Sequence, residues 1–408
     1  MTAAIVFAGV ASFLVTLVCT RLIISVAPRI GFVDKPGHHK THRQPKPLGG
    51  GVGIFLGFAL PLLGGLIYLA AASGLPAGLG RLDAEAAALF AGARQQAPLA
   101  IGLLLATAAM HALGLFDDRK AMGPYSKLLL QIGIVAALVL SMEALSTHTP
   151  SLRLRVLTVL DHYPGGRALS VAITVLWITG ITNAFNFLDN MDGLSAGVAA
   201  ICATAFLLTA IAVGQLFVAV VLALLLGATL GFLAWNFPPA RIFMGDSGSL
   251  LLGFLLGTLT VRTTYLPHGR SLGGGWYAVM MPVIVLALPL YDLLVVSAIR
   301  LSRGKSPFRG DNNHFSHRLV ARGMTRRTAV LCIYLVTAAT SVAAMLLPQV
   351  TTTAGALLIF VQTIMVLGVI ALLEQHPLPR AMIEDAPTPS PAPATSPLPP
   401  TEAADHAA

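Results

Sequence analysis

The chain has 408 residues, of which 56% are hydrophobic and only 11% are charged, and its mean hydropathy is +0.80. Soluble domains carry about 25% charged residues, so this composition excludes an ordinary soluble fold and indicates an integral membrane protein. The formal net charge of +9 predicts no nucleic-acid partner, because in a membrane chain basic residues report orientation. The three cysteines, Cys19, Cys202 and Cys332, lie in apolar runs, which is not the pattern of a disulfide framework or a zinc site.

Eleven apolar segments follow one another along the chain, each near the length of about 20 residues that a helix needs to cross a bilayer. They cover residues 4–26, 48–72, 97–116, 124–143, 168–188, 194–213, 215–235, 247–264, 277–299, 328–347 and 354–373. The first lacks the basic start and cleavage site of a signal peptide, so we interpret it as a retained span. Around Gln215 the joint length of two segments favours two helices and a tight turn. The predicted fold class is all-α, a polytopic membrane helix bundle.

The distribution of Lys and Arg predicts the orientation of this bundle. With the N-terminus outside, 17 of the 26 Lys and Arg residues fall in cytoplasmic loops, as the positive-inside rule requires. These loops are 27–47, 117–127, 189–193, 236–246 and 300–327. Residues 1–373 then form one membrane-embedded domain, and residues 374–408, rich in Pro and Ala, are expected to be a disordered cytoplasmic tail.

Two acidic clusters lie at predicted cytoplasmic ends of spans. Asp117 and Asp118 are adjacent, with Lys127 close behind, and paired carboxylates suit a divalent cation such as Mg²⁺. A solvated helix end explains that pair equally well. In NAFNFLDNMDGLSAG, polar residues recur every three positions, which would place them on nearly one helix face; they are Asn183, Asn186, Asp189 and Asp192. Helix capping explains at most one of these four.

Two further clusters share that predicted face. Asp246 in IFMGDSGSLLLGF lies where a span begins, which fits either a helix cap or a phosphate site with a metal ligand. His314 and His317 lie between Arg309 and Arg318, which fits either pyrophosphate binding or contact with anionic lipid headgroups. Separate structural causes would not place all four clusters together. An acid-rich site ringed by basic residues at a membrane surface indicates phosphate chemistry.

The residues of these clusters resemble the polyprenyl-phosphate N-acetylhexosamine-1-phosphate transferase family. That family includes bacterial undecaprenyl-phosphate N-acetylglucosamine-1-phosphate transferases and phospho-N-acetylmuramoyl-pentapeptide transferases. The resemblance covers residues 28–325. Its motifs are VDKPGHHKTHRQPKPLGG, the Asp117-Asp118 pair with Lys127, NAFNFLDNMDGLSAG, IFMGDSGSLLLGF, and PLYDLLVVSAIRLSRGKSPF with Asp292.

The resemblance implies transfer of N-acetylhexosamine 1-phosphate, most simply the N-acetylglucosamine form, from a UDP-linked amino sugar to undecaprenyl phosphate. The products would be UMP and a polyprenyl-pyrophosphate sugar that starts a cell-envelope glycan. It also implies Mg²⁺, with Mn²⁺ as the alternative, and the bacterial cytoplasmic (inner) membrane with the active site on its cytoplasmic face. The predicted partners are thus the UDP-sugar, the polyprenyl phosphate lipid and the membrane, and a homodimer is left open.

The expected site residues fall into three sets. The predicted catalytic residues are Asp117, Asp118, Asp189, Asp192, His314 and His317. The predicted metal ligands are Asp246, Asp118 and Asn186. The predicted substrate-binding residues are Lys35, Lys46, Lys127, Asn183, Asn186, Phe243, Arg309 and Arg318. As a mechanistic hypothesis, Asp117 is a base or polariser toward the attacking lipid phosphate, or forms a covalent phospho-enzyme.

The last loop departs from the family pattern. The N-acetylglucosamine branch has Asp-Arg-X-His-X-His-His, where this chain has Asn312 in place of the Arg and Ser316 in place of one His. The three consecutive His of the muramoyl-pentapeptide branch are absent as well. The N-acetylglucosamine branch is therefore favoured, and the exact hexosamine stays open. Other classes considered are a membrane transporter, an intramembrane aspartyl protease and a binding scaffold.

Overall fold

The computed structural model describes residues 2–34, 45–73, 84–263, 280–306, 314–350 and 352–375. Its α-helices, numbered in chain order, are α1 Thr2–Val26, α2 Gly50–Ser73, α3 Ala84–Arg119, α4 Pro124–Ser146, α5 Gly166–Leu188, α6 Leu194–Ala212, α7 Leu216–Asn236, α8 Asp246–Thr263, α9 Met281–Val285, α10 Ala287–Ser302, α11 Phe315–Ala321, α12 Arg326–Leu346 and α13 Thr353–Gln375. Short 3-10 turns cover Pro150–Leu152, Thr158–His162 and Leu347–Gln349. The described sheet has two antiparallel strands, β1 Val33–Asp34 and β2 Lys46–Pro47, with Asp34 opposite Lys46.

The predicted all-α membrane fold is confirmed. Within the described ranges, nine helices are long and apolar enough to cross a membrane, namely α1 to α7, α12 and α13. The predicted segment 247–264 corresponds to α8, which has only 18 residues and carries Asp246 and Arg262. The predicted segment 277–299 is broken at Leu286 between α9 and α10, where Pro289 has no N–H to continue the helical ladder. The count of eleven spans and the orientation therefore stay predictions.

Three boundaries differ from or refine the predicted ones. The expected turn near Gln215 is confirmed, because α6 ends at Ala212 and Gly214 has a φ of +74°. α3 begins at Ala84, well before residue 97, because its Ala-rich start favours a helix without being apolar enough to register as a span. Glu374 was assigned to the tail, but α13 continues to Gln375 and includes it. Residues 376–408 lie outside the described residues, so the disordered tail stays a prediction.

The bundle is built around α8. Every residue of α8 from Ser247 to Thr263 is buried, and the helix packs against α2, α3, α5 and α6. Glycines bring its N-terminus close to its neighbours: a Cβ on Gly114 of α3 would lie 2.5 Å from the Asp246 carbonyl carbon, and one on Gly51 of α2 would lie 2.5 Å from the Ser247 carbonyl carbon. Three helix backbones can therefore meet where α8 begins.

An ion-pair network fixes α4 against α5 at the end of the bundle far from that junction. Glu143 near the end of α4 binds Arg155 Nε at 2.6 Å and Arg167 Nη2, at the start of α5, at 2.9 Å. Arg155 also forms two hydrogen bonds with Asp161, at 2.7 and 2.8 Å. Arg155 is only 3% exposed, so its charge requires these partners. The opposite ends of α4 and α5 carry Lys127 and Asn186.

Packing of small residues, rather than the hydrophobic effect, holds helices together in lipid, and Gly57 gives a test. A Cβ on Gly57 of α2 would collide with Thr16 of α1 and lie 3.0 Å from the Ser12 carbonyl oxygen, whereas one on Gly64 of the same helix meets nothing within 4 Å. We expect Gly57→Ala to destabilise the protein by about 1–3 kcal/mol. Gly64→Ala is the matched control and should be neutral. Heating in detergent followed by size-exclusion chromatography measures both, and equal stability of the two variants would contradict this packing.

The predicted orientation can be tested with single cysteines in a variant without Cys19, Cys202 and Cys332. Lys120 follows α3 and Tyr163 precedes α5, at opposite ends of the bundle, and both are exposed. In spheroplasts, a membrane-impermeant maleimide should label Tyr163→Cys and leave Lys120→Cys unlabelled, because Lys120 belongs to a predicted cytoplasmic loop. Inside-out vesicles should give the reverse result. If only Lys120→Cys were labelled in spheroplasts, the orientation of the bundle would be the reverse of the predicted one.

Candidate active site

The ammonium group of Lys127 lies at the centre of a polar cluster where four helices meet. Its Nζ contacts Asp117 Oδ2 at 3.0 Å, Asn186 Oδ1 at 3.5 Å and Asp246 Oδ2. These side chains come from α4, α3, α5 and α8 respectively, and we call them the Lys127 cluster. Asn186 Nδ2 also donates to Asp246 Oδ1 at 2.7 Å and to Ser249 Oγ at 2.9 Å. One cation is thus surrounded by two carboxylates and an amide oxygen.

Asp118 holds the backbone that presents Asp246. Its Oδ1 accepts the N–H of Asp246 at 2.7 Å, and its Oδ2 accepts the N–H of Ser247 at 3.1 Å. The first N–H groups of a helix have no partner within the helix, so Asp118 acts as an N-terminal cap supplied by another helix. Gly245 has a φ of +75°, and a Cβ there would lie 2.6 Å from Asp118 Oδ2. This position therefore requires glycine.

Asp117 is fixed separately from Asp118, although the two residues are adjacent. Its Oδ1 accepts the Met122 N–H at 2.5 Å, and its Oδ2 faces Lys127. Asp117 and Asp246 therefore contact one ammonium group and the Asp118 carboxylate lies beside Asp246, so these four groups have a formal charge of −2. Such a surplus is costly in a partly buried site unless a cation neutralises it.

The polar stripe of α5 does not lie on one helix face, so that prediction is wrong. α5 ends at Leu188, and Asp189 has a φ of −79° and a ψ of 51°, outside the helical region. Asn183 donates to Gln131 Oε1 at 2.6 Å and to the Thr179 carbonyl at 2.9 Å, which directs it into the α4–α5 interface. The two asparagines remain on the helix, and the two aspartates belong to the loop that follows.

The loop after α5 carries Asp189 and Asp192 in different environments. Burial, together with the nearby negative charges of Asp246, Asp118 and Asp192, raises the pKa of Asp189 well above its usual range. Asp192 Oδ2 accepts the Ala240 N–H at 2.9 Å and lies 3.6 Å from Lys46 Nζ. That ammonium also lies 5.0 Å from the centroid of the Phe243 ring. Lys46, Asp192 and Phe243 form a second group at the rim of the site.

Two residues missed by the sequence analysis hold this loop in place. Asn236 at the end of α7 accepts the Gly193 N–H at 2.8 Å and donates to the Ile242 carbonyl at 2.8 Å. The Tyr334 hydroxyl of α12 donates to the Gly193 carbonyl. Gly193 has a φ of +76°, which glycine adopts readily. Asn236 is a polar residue at the end of a predicted span, in WNFPPAR, a signal that could have identified it, whereas Tyr334 lies in an apolar span without such a signal.

His314 and His317 lie beside the loop that follows α5. His314 Nδ1 bonds Asp292 Oδ2 at 2.7 Å, and Asp292 Oδ1 accepts the Phe315 N–H at 3.1 Å. Because a carboxylate only accepts, Nδ1 carries the proton, which leaves Nε2 of His314 for other chemistry. The His317 ring lies 6.4 Å away. Burial lowers the pKa of His317, and so do the positive charge of Arg326 and the charge that His314 gains when it is protonated.

Two contacts join the histidines to the rest of the site. Ser316 Oγ donates to Asn190 Oδ1 at 2.6 Å, and the His314 ring packs edge-on against Phe187, with centroids 6.0 Å apart. The four clusters identified in the sequence thus surround the end of α5. Arg318, predicted to bind substrate, pairs with Glu374 of α13 at 2.7 Å. Lys35 and Arg309 lie outside the described residues, so their predicted roles are untested.

The donor atoms of the Lys127 cluster fit a hard divalent cation. Among the described residues, no three His, Cys, Asp or Glu side chains form a ready-made metal cage. Mg²⁺ does not require one, because it is usually held by one or two carboxylates together with substrate phosphates. Asp117, Asp246 and Asn186 point oxygen atoms at a common cationic centre. Mn²⁺ accepts the same oxygen ligands.

Comparison with known proteins gives one family. The family model described as Glycosyl transferase family 4 matches residues 100–264, a stretch that contains the whole Lys127 cluster. The chain is 32% identical over 361 residues to a probable undecaprenyl-phosphate N-acetylglucosaminyl 1-phosphate transferase of Bacillus subtilis, covering 88% of each chain. It is 33% identical over 341 residues to the decaprenyl-phosphate N-acetylglucosaminephosphotransferase of Mycobacterium tuberculosis, covering 80% of this chain and 78% of that protein.

A third relative belongs to the muramoyl branch. The chain is 30% identical over 342 residues to the phospho-N-acetylmuramoyl-pentapeptide-transferase of Desulforudis audaxviator, covering 80% of this chain and 93% of that protein. The extent of these matches, together with the placement of the matched motifs around the end of α5, identifies the chain as a member of glycosyl transferase family 4.

Proposed function

We propose that this enzyme transfers N-acetylglucosamine 1-phosphate from UDP-N-acetylglucosamine to a polyprenyl phosphate, undecaprenyl phosphate in the simplest case. The observation that carries the proposal is the Lys127 cluster, in which carboxylate and amide oxygens surround a cation beside the N-terminus of α8. An ammonium group beside carboxylate and amide oxygens suits a phosphate and its counter-cation. The names of the relatives from Bacillus and Mycobacterium point to the same sugar and lipid class.

The proposed reaction takes place at the phosphorus nearest the sugar. An oxygen of the lipid phosphate forms a new P–O bond there, and the bond to the bridging oxygen of the nucleotide breaks. The electron pair leaves with UMP, and the lipid becomes a polyprenyl-pyrophosphate sugar. Such transfers need little covalent help from protein, so positioning and charge stabilisation dominate catalysis. The product would start a cell-envelope glycan at the cytoplasmic face of the bacterial inner membrane.

The Lys127 cluster assigns roles to three side chains. Lys127 supplies positive charge to the phosphates and pairs with both Asp117 and Asp246. Asp117, fixed by the Met122 N–H, orients the lipid phosphate or accepts its proton. When bound, Mg²⁺ would add Lewis-acid stabilisation of the pyrophosphate oxygens, held by Asp246 and Asn186. Both oxygens of Asp118 accept backbone N–H groups and so fix the backbone of Asp246. Asp118 stays a candidate metal ligand.

The two flanking groups suit the two ends of the donor. Lys46 brings positive charge to the rim, and Phe243 offers an aromatic face near Asp192, a combination suited to a nucleotide. His314 is held in one tautomer by Asp292. Its Nε2 and the nearby His317 can then serve the phosphate that departs with UMP.

The second candidate is phospho-N-acetylmuramoyl-pentapeptide transfer, which the Desulforudis relative favours. This reaction would use the same phosphate chemistry with a larger donor. Against it stands the absence of the three consecutive histidines of that branch, since Phe315 and Ser316 separate His314 from His317. Donor choice therefore depends on substrate contacts rather than on the Lys127 cluster.

The test supplies purified protein with Mg²⁺, undecaprenyl phosphate and sugar-labelled UDP-N-acetylglucosamine. We expect stoichiometric UMP and a labelled pyrophosphate-linked lipid. UDP-N-acetylmuramoyl-pentapeptide is assayed in parallel, and turnover with that donor alone would establish the second candidate. If no UDP-sugar were turned over and substrate crossed the vesicle membrane, both candidate reactions would be excluded and the protein would be a transporter.

Removal of the Lys127 charge should abolish most activity. We expect Lys127→Met to lower kcat by at least about 100-fold, because the buried acids lose their counter-charge and the phosphates lose a donor. Lys120→Met is the matched control, since Lys120 is an exposed lysine in the same predicted loop. Its turnover should stay within twofold of wild type. Comparable losses in the two variants would mean that general surface charge, and not the cluster, supports catalysis.

Chelation tests the divalent cation directly. EDTA should abolish turnover, and Mg²⁺ or Mn²⁺ should restore it, because the site carries surplus negative charge and hard oxygen donors. Asp246→Asn should raise the Mg²⁺ concentration for half-maximal activity by about 10- to 100-fold. The Mg²⁺ titration is run on both proteins. Full activity in EDTA would contradict a metal at this site.

A further inference from the structure

A buried acid near the end of the last helix reaches the helix that carries the histidines. The Glu374 side chain is only 8% exposed. Its Oε2 accepts from Arg318 Nη2 at 2.7 Å and Nε at 3.1 Å, and the Tyr291 hydroxyl lies 3.4 Å away. A carboxylate at this depth in an apolar helix is costly unless it is paired. The pair therefore fixes α13 against α11 and α10.

The helix on the other side of this pair is short. α11 runs from Phe315 to Ala321, seven residues with His314 at its N-cap. Isolated helices of this length are not stable in water, so its placement depends on contacts with other elements. Asp292 and Asn190 hold its first residues, His314, Phe315 and Ser316. The hydrogen-bonded contact of Glu374 with Arg318 holds α11 farther along its length.

The effect of the Glu374–Arg318 contact on α11 depends on where Arg318 lies in that helix. Arg318 directly follows His317, and consecutive helical residues point about 100° apart. With the start of α11 anchored by Asp292 and Asn190, a second anchor at Arg318 sets the rotation of the helix about its axis. Loss of that anchor would turn the His317 ring relative to His314 without touching the Lys127 cluster.

We propose that Glu374 is a positioning residue for the transfer reaction, acting through Arg318 to hold α11 and its two histidines against the site. This inference rests on the proposed function, because the two histidines have a role in catalysis only if the proposed transfer takes place. Arg318 then serves as the link between α13 and α11 rather than as a ligand of the substrate. Neither residue touches the reacting atoms.

The kinetic test compares Glu374→Gln, Arg318→Gln and the double variant with wild type. We expect each single change to lower kcat by about 10- to 100-fold, with KM for the UDP-sugar within twofold. The kcat of the double variant should equal that of the single variants, since each of the three variants loses the same contact between Glu374 and Arg318. Leu373→Ala is the control, because Leu373 is the exposed neighbour of Glu374, and its kcat should equal that of wild type.

Three results would overturn the proposal. A wild-type kcat in Glu374→Gln would do so directly. A lower thermal stability of Glu374→Gln with unchanged kcat would assign the pair to folding alone. A raised KM in Arg318→Gln only, with additive losses in the double variant, would make Arg318 a substrate ligand.

A second measurement is independent of turnover, so it separates this proposal from the proposed function. Amide hydrogen exchange of residues 315–321 should be about tenfold faster in Glu374→Gln than in wild type or Leu373→Ala. Unchanged exchange would overturn the positioning role even if the enzyme acts on another donor. An inactive wild type with faster exchange in Glu374→Gln would refute only the proposed reaction.

Discussion

The contact on which the site depends is the one between the Lys127 ammonium and the carboxylates of Asp117 and Asp246. Three acids close together would repel one another strongly in a partly buried place, and the ammonium makes the arrangement stable. It also joins side chains from four helices, α3, α4, α5 and α8. The glycine contacts around α8 serve this geometry, because only close backbones let these short side chains reach one cation.

The supporting parts of the molecule act on two flanks of this cluster. Asp118 caps α8 and so sets the backbone of Asp246, while Asn236 and Tyr334 hold the loop that carries Asp189 and Asp192. On the other flank, Asp292 fixes His314, and Glu374 holds α11 through Arg318. The atoms that we propose to bind phosphate thus lie at helix ends, which suits a reaction in which positioning supplies most of the rate.

Sequence predicted the membrane fold well because hydropathy depends directly on composition, and the turn near Gln215 followed from length alone. It predicted which polar residues gather near the end of α5 because charged residues are costly in a membrane chain and usually mark a functional site. It failed where a partner from a distant helix decides the geometry. The three-residue spacing from Asn183 to Asp192 looked helical, yet α5 ends at Leu188. Likewise, composition assigned Glu374 to the tail, whereas Arg318 draws it into the fold.

If the enzyme transfers a sugar together with its phosphate, both parts of that group must arrive on the lipid. UDP-N-acetylglucosamine that carries ³²P in the phosphate next to the sugar and ³H in the sugar measures this. We expect both labels to enter the polyprenyl lipid in equal amounts and UMP to be released. Transfer of ³H alone, with ³²P retained in released UDP, would show attack at the sugar carbon and would exclude the proposed reaction.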